Sequence, residues 1–236
     1  MKLSAYPVKK LLFSCFTTLL LTTVGHSQTG LQFNGTTQYV TFGAATSTLG
    51  SSTFTLEAWV KKTGTGVTAN TGTGGIDAIP VITKGRGEAE TPANLNCNYF
   101  LGINTSGKLV ADFEDKTTGL NHPITGVTTL SDNIWYHIAA TYDGTTWRLY
   151  INGVQDAFFV VGVFLPENTS IQHAGLGTAM NSTGVAAGFF AGVIDEARIW
   201  NFARSQVQIS ASMNSELTSG TGLLGRWGLN DGLGTT

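Results

Sequence analysis

Charge is scarce in this sequence. Asp, Glu, Lys and Arg together make up 12% of 236 residues, about half the usual share. With 42% hydrophobic residues beside it, so little charge excludes a disordered polyelectrolyte, and the lack of a long heptad run excludes a coiled coil. There is no excess of basic residues, with 13 Lys and Arg against 15 Asp and Glu, so the electrostatic footprint of a nucleic-acid binder is missing. Apolar runs stop short of the roughly 20 residues needed to cross a bilayer as a helix. Only two cysteines occur, Cys15 and Cys97. Catalytic signatures are missing too: there is no HExxH, P-loop or GxSxG, and no Cys pair at zinc spacing.

The N-terminus has the build of a secretory signal. Lys2, Lys9 and Lys10 form a positive start, residues 11–24 an apolar stretch, and Gly25-His26-Ser27 a small-residue exit. Residues 1–27 are therefore read as a signal peptide, and 28–236 as a single secreted or cell-surface domain with no membrane insertion after cleavage. Cys15 lies inside the apolar stretch, which argues against a lipid anchor. Removing the three lysines leaves ten basic against 15 acidic residues, a net charge of about −5, and Cys97 as the sole thiol. An intrachain disulfide is then excluded, so a large core or a bound ion must supply stability.

Thr is the dominant polar residue, and β-branched side chains favour pleated surfaces. Period-2 alternation and short apolar blocks predict strands near 31–34, 38–42, 53–61, 81–84, 99–104, 108–114, 134–142, 146–152, 172–176, 189–200 and 223–229, the pattern of a sandwich or barrel. Asp143-Gly144, Gly107 and Asn152-Gly153 mark hairpin turns. One short helix is expected over 205–213, with Ser205 as N-cap and Val207, Ile209 and Met213 on one side. The Gly/Thr-rich stretch 63–75 reads as a mobile surface loop, and 85–98 as a second long insert. Trp59, Trp135 and Trp200 are expected in the core, with Trp147, after its turn, the most exposed aromatic.

Five motifs in order then carry a resemblance. Phe33-Asn34-Gly35 with Tyr39-Val40, Phe54-Thr55-Leu56-Glu57-Ala58-Trp59-Val60, Trp135-Tyr136-His137-Ile138-Ala139, Arg148-Leu149-Tyr150-Ile151-Asn152-Gly153 and Gly192-Val193-Ile194-Asp195-Glu196-Ala197-Arg198-Ile199-Trp200 resemble the laminin-G-like, concanavalin A-like jelly roll. The resemblance spans about residues 30–230. It implies an all-β sandwich of two antiparallel sheets in a secreted, bacterial type of protein. It also implies that the tail from Trp227 normally runs on into more chain, so a longer, truncated parent is expected.

What the resemblance implies about sites is narrower. In the wider superfamily a calcium ion is held near the first strand and by an aspartate of a late strand. Carried onto this chain, the ligands would be Asn34 and Thr53, through carbonyls, and Asp195, a carboxylate in an otherwise apolar run. The alternative for Asp195 is a salt bridge to Arg198 or a plain hydrogen-bonded role. Related hydrolases carry same-face carboxylates; here Asp112 and Glu114 share a face but the third carboxylate is missing, so the pair reads as a solvated strand edge. His122, His137 and His173 are scattered and read as structural. Asn98, Asp115, Asn121, His122 and Asn168 lie on loops able to meet a sugar. The expected function is an exported, non-catalytic module that binds extracellular carbohydrate or protein and is stabilised by calcium. The alternatives are an accessory domain of a polysaccharide-degrading enzyme and a structural adhesion repeat.

Overall fold

The structure, a computed structural model, describes residues 29–89 and 91–230. The proposed signal peptide and the last six residues lie outside them. Among the described residues the strands run β1 (Leu31–Asn34), β2 (Val40–Thr41), β3 (Phe54–Lys62), β4 (Ala69–Asn70), β5 (Asp77–Lys84), β6 (Tyr99–Asn104), β7 (Lys108–Asp112), β8 (Ile124–Thr129), β9 (Trp135–Tyr142), β10 (Thr146–Ile151), β11 (Val154–Val160), β12 (Ala174–Leu176), β13 (Ala179–Met180), β14 (Ala186–Ala187), β15 (Ala191–Trp200) and β16 (Leu223–Trp227). One α-helix, α1 (Gln206–Ser212), lies between β15 and β16.

Two antiparallel sheets form the expected sandwich. The first orders β1-β15-β3-β9-β10-β11 with β16 also on β15, and the second β2-β12-β5-β6-β7-β8 with β4 also on β5. Alternation decides which side chains meet between them. Phe54, Leu56, Ala58 and Val60 of β3 and Ile138, Ala140 and Tyr142 of β9 point inward onto Tyr99, Leu101, Ile103, Leu109 and Ala111 of the second sheet. Thr55, Glu57, His137 and Thr141 therefore point outward, yet they are buried. The hairpins close where the turn residues demand: Gly144 between β9 and β10, Gly107 between β6 and β7, and Asn152-Gly153 between β10 and β11 all take positive φ. Asn34, Asn104 and Asn181, each heading an Asn-x-Ser/Thr triplet, turn their side-chain oxygens onto backbone N–H groups of their own turns.

Trp147 corrects the reading of that hairpin. It is fully buried, because it pairs with Tyr142 in the inward row, and it packs among Phe54, Phe113 and Tyr142 at ring separations of 5.3–5.5 Å. Its Nε1–H donates to the His122 carbonyl at 2.7 Å, which satisfies the indole's only polar atom. Trp59 and Trp135 are only half-buried. Ile209 is the buried member of α1, whereas Val207 is exposed; Ser205 caps the helix as expected, and Gln208 completes a capping box.

The 63–75 stretch is also not the free loop its composition suggests. Val67 bridges to Phe189, β4 pairs with β5, and Ala69 and Ile76 pack on Ala78, Phe100 and Val110 over the outer face of the second sheet. Asp112 and Glu114 lie beneath this cover and are buried, not solvated, because β7 sits between β6 and β8 and not at an edge. Burial pushes the Asp112 carboxyl up to about 7, although it accepts from Thr71 Oγ1 at 2.6 Å and from the N–H groups of Phe113 and His122. Glu114 accepts from the N–H of Cys97, itself buried and without a disulfide. Thr71 is the pin, since its hydroxyl donates to Asp112 and accepts from the N–H of Ile76 at 2.8 Å. Thr71→Val keeps the shape, removes one of the three hydrogen bonds to Asp112 and takes the hydroxyl acceptor from the Ile76 N–H. It should cost about 1–3 kcal/mol in denaturant unfolding, and an unchanged midpoint would show that the loop is not held there.

Candidate functional site

The outward face of the first sheet builds the site, starting from a carboxylate that alternation places on the wrong side for a core. Glu57 of β3 is fully buried, and its Oε1 accepts from Trp200 Nε1 at 2.9 Å and from Arg204 Nη1 at 2.7 Å, with Arg198 Nη1 at 3.6 Å. The Arg204 guanidinium stacks on the Trp200 ring, 4.3 Å from its centre, and its second nitrogen donates to the Gln208 carbonyl and Ser212 Oγ. Arg198 reaches Glu196 and the Ser212 carbonyl. Thr53 and Thr55 hydroxyls donate to the carbonyls of Asn201 and Phe202, and Trp59 Nε1 donates to that of Met213. Segment 201–213 is thereby fastened across the sheet.

Fastening that segment makes a groove. Between it and the β9–β10 hairpin lies a cavity of about 490 Å³ lined by Asp143, Arg148, Gln155, Phe202, Gln206 and Gln208. Asp143 shapes the turn: its Oδ1 accepts from the N–H groups of Thr145 and Thr146, and its Oδ2 from Arg148 Nη1 at 2.7 Å. Burial raises its pKa, but the bonds from Arg148, Thr145 and Thr146 outweigh that and hold it at about 2, so the carboxylate stays charged. The Asp143–Arg148 pair is about one-third exposed and so contributes little to stability. The carboxamides of Gln155, Gln206 and Gln208 line the same groove, with Gln208 Oε1 already accepting from the Ser205 N–H. A second groove, about 410 Å³ and more apolar, opens at the end of the sandwich between Thr53, Thr117, Thr118, Gly144, Val163 and Leu165.

The residues expected to hold calcium do not come together. Asn34 pairs with Ala191, four residues along β15 from Asp195, a separation of about 13 Å, and Thr53 lies six residues along β3 from Asp195's partner Trp59, about 20 Å. The Asn34 side-chain oxygen already serves the N–H groups of Thr36, Thr37 and Gln38, and the Thr53 carbonyl accepts from Ser51 Oγ. Asp195 is buried beside a register shift in β15 where Glu196 takes φ +48°; it accepts from the Glu196 N–H at 2.8 Å, and burial first, then the charges of Glu196 and Glu216, raise it to about 6. The trio does not fit one ion, and no cluster of three or more His, Cys, Asp or Glu residues able to hold a metal occurs among the described residues. Arg198 pairs with Glu57 and Glu196 instead of Asp195.

The loop residues considered for sugar contact are mostly occupied. Asn98 bridges to Ser51, Asp115 holds its own turn at Thr117 and Thr118, and Asn121 donates to the Thr73 carbonyl. His122 lies 3.4 Å from Asp115 and against Phe164, and Asn168 accepts from Lys116. Of the groove residues, Asp143 and Arg148 stand in a turn and a motif of the sequence, but neither pattern marks them as a site. The groove's residues come from segments some fifty residues apart, with only the Asp143-Gly144 turn and the Ser205–Gln208 cap to mark two of its walls.

The family model of the concanavalin A-like lectin/glucanases superfamily, laminin G type, matches residues 34–210, and the chain belongs to that family. The sandwich is similar to the CBM40 of the Ruminococcus gnavus IT-sialidase bound to α2,3 sialyllactose: TM-score 0.57, 16% identity, 77% of this chain and 93% of that one. It is similar also to the NanB sialidase of Streptococcus pneumoniae: TM-score 0.59, 18% identity, 81% of this chain and 28% of that one. Mouse pappalysin-1 is 28% identical over 172 residues, 69% of this chain but 10% of that protein's length. No helix among the described residues is long and apolar enough to cross a membrane.

His137 sits within the charged network and gives it a pH signature. Burial, then the charges of Arg198 and Arg204, pull its pKa down to about 3, so it stays neutral in the fold. The unfolded chain protonates it near 6.5, so stability falls as pH drops from about 6.5 towards 3, by up to about 1.4 kcal/mol per unit. Denaturant titrations at stepped pH should show His137→Gln losing this slope relative to the unmodified chain. Parallel curves would contradict a buried neutral imidazole.

Proposed function

We propose that this chain is an exported carbohydrate-binding module that acts by binding and not by catalysis. The observation that carries the reading is the groove beside the β9–β10 hairpin, where a fixed carboxylate, a half-free guanidinium and three carboxamides converge with Phe202. Planar donors and acceptors of this kind match the alternating hydroxyls of a sugar, and a guanidinium matches a sugar carboxylate bidentately. Family membership and the sialyllactose-bound neighbour support a glycan as the ligand class. The two same-face carboxylates, Asp112 and Glu114, lie under the 71–76 cover and face neither groove, which supports a binding role over glycoside hydrolysis. Export rests on the N-terminal signal pattern. The activity of any larger parent protein is a separate proposal, for which an accessory role beside a glycan-degrading domain is the natural form.

Titration calorimetry with a panel of soluble glycans, α2,3 sialyllactose among them, tests this. Arg148→Ala is expected to weaken the responding glycan at least tenfold without lowering the Tm, whereas Thr118→Ala in the end groove should leave it unchanged. Loss on Thr118→Ala but not on Arg148→Ala would move the site to the end groove, and no glycan binding at all would contradict the reading.

A further inference from the structure

The sheet edges differ sharply in how they are protected. β2 ends the second sheet with only two residues. At that sheet's other edge β8 is capped by a side chain: the Asp156 carboxylate accepts from the N–H groups of Val127 at 2.8 Å and Thr128 at 3.1 Å, standing in for a neighbouring strand. β11, which carries Asp156 at a bulge, is the exception. It runs seven residues, pairs only with β10, and ends the first sheet. Its single acidic group is turned away onto β8, and residues 157–166 carry no charged side chain.

Such an edge is usually blunted by charge, proline or cover. Here its second half, from Ala157 to Val160, is apolar on both sides. Phe158 is 64% exposed, Phe159 53% and Val160 61%, and just beyond the strand Val163 is 86% and Leu165 49% exposed. Successive strand residues face opposite ways, so Phe158 and Val160 expose apolar surface on one face and Phe159 on the other, while the exposed polar side chain, Gln155, lies near the start of the strand.

The geometry points to β11 as an association edge through which two copies of this chain pair antiparallel, strand to strand. An antiparallel strand placed against itself about a two-fold axis offers each free N–H a carbonyl without requiring any other sequence. Scaling aromatic side chains of roughly 150–250 Å² by these exposures, and the aliphatic ones in proportion, two copies can bury at most about 1,000 Å², the smallest area of a specific association. The dimer is therefore weak and reversible, and it does not depend on the glycan reading.

Sedimentation velocity of the purified chain from low micromolar to near-millimolar concentration tests it. The weight-average mass should rise from that of a monomer towards twice that value. Phe158→Lys and Val160→Lys, which alter side chains more than half exposed, should each hold the chain monomeric at every concentration with unchanged circular dichroism and Tm. A wild-type chain that stays monomeric throughout, including one whose edge receives only a different protein's strand, overturns the proposal. So does a dimer that persists in both lysine variants, since its interface then lies elsewhere.

Discussion

A single buried carboxylate organises the outer face of the first sheet. Glu57 is placed there by strand alternation, since its neighbours Leu56 and Ala58 are taken by the core. A charge out of water needs charge partners and hydrogen bonds to offset its desolvation; here both hydrogen bonds fall on Oε1, while Oε2 accepts none among the described residues. Two arginines and an indole supply the match, and each of those groups is rooted in β15 or the segment after it. The requirement of one charge for partners thus dictates where the thirteen residues 201–213, α1 among them, must lie. Removing a member leaves the others buried and uncompensated, a cost of about 3–5 kcal/mol in comparable pairs.

This fastening has a functional consequence. With segment 201–213 on the first sheet and the 63–76 and 177–190 segments over the second, neither outer face is an open platform. Openings remain beside the β9–β10 hairpin, at the loop end and along the β11 edge. The chemistry of the three differs: charged and carboxamide-rich, hydroxyl-bearing and apolar, and bare apolar strand. A glycan is the proposed occupant of the first, and a second copy of the chain that of the last.

Much of the fold was legible because alternation and turn chemistry are local. The strands at 31–34 and 99–104, the three glycine hairpins and the Ser205 cap all lie where expected. β4, β8, β11, β13 and β14 are hidden in the sequence because they are short or lack clear alternation: β8 is Thr-rich on both faces, and β11 runs Gln155-Asp156 and then Phe158-Phe159 side by side. Trp147 and Thr71 were misplaced for a different reason: what buries them comes from residues distant in sequence, the Phe113 ring and the Asp112 carboxylate. The ion trio failed on register, a property of pairing that residue type does not carry. Conversely, the motifs held more than packing: Glu57, His137, Arg198 and Trp200 all stand in them, and the structure gathers the other three around the Glu57 carboxylate, the neutral His137 ring by proximity alone, 3.7 Å away.

The most direct test of this account is hydrogen exchange by mass spectrometry, comparing the unmodified chain with Glu57→Gln. If the carboxylate holds the cover, exchange should accelerate at least tenfold in segment 201–213 while β3, β9 and the second sheet keep their protection. Unchanged exchange in that segment, or a uniform loss of protection across both sheets, would contradict it.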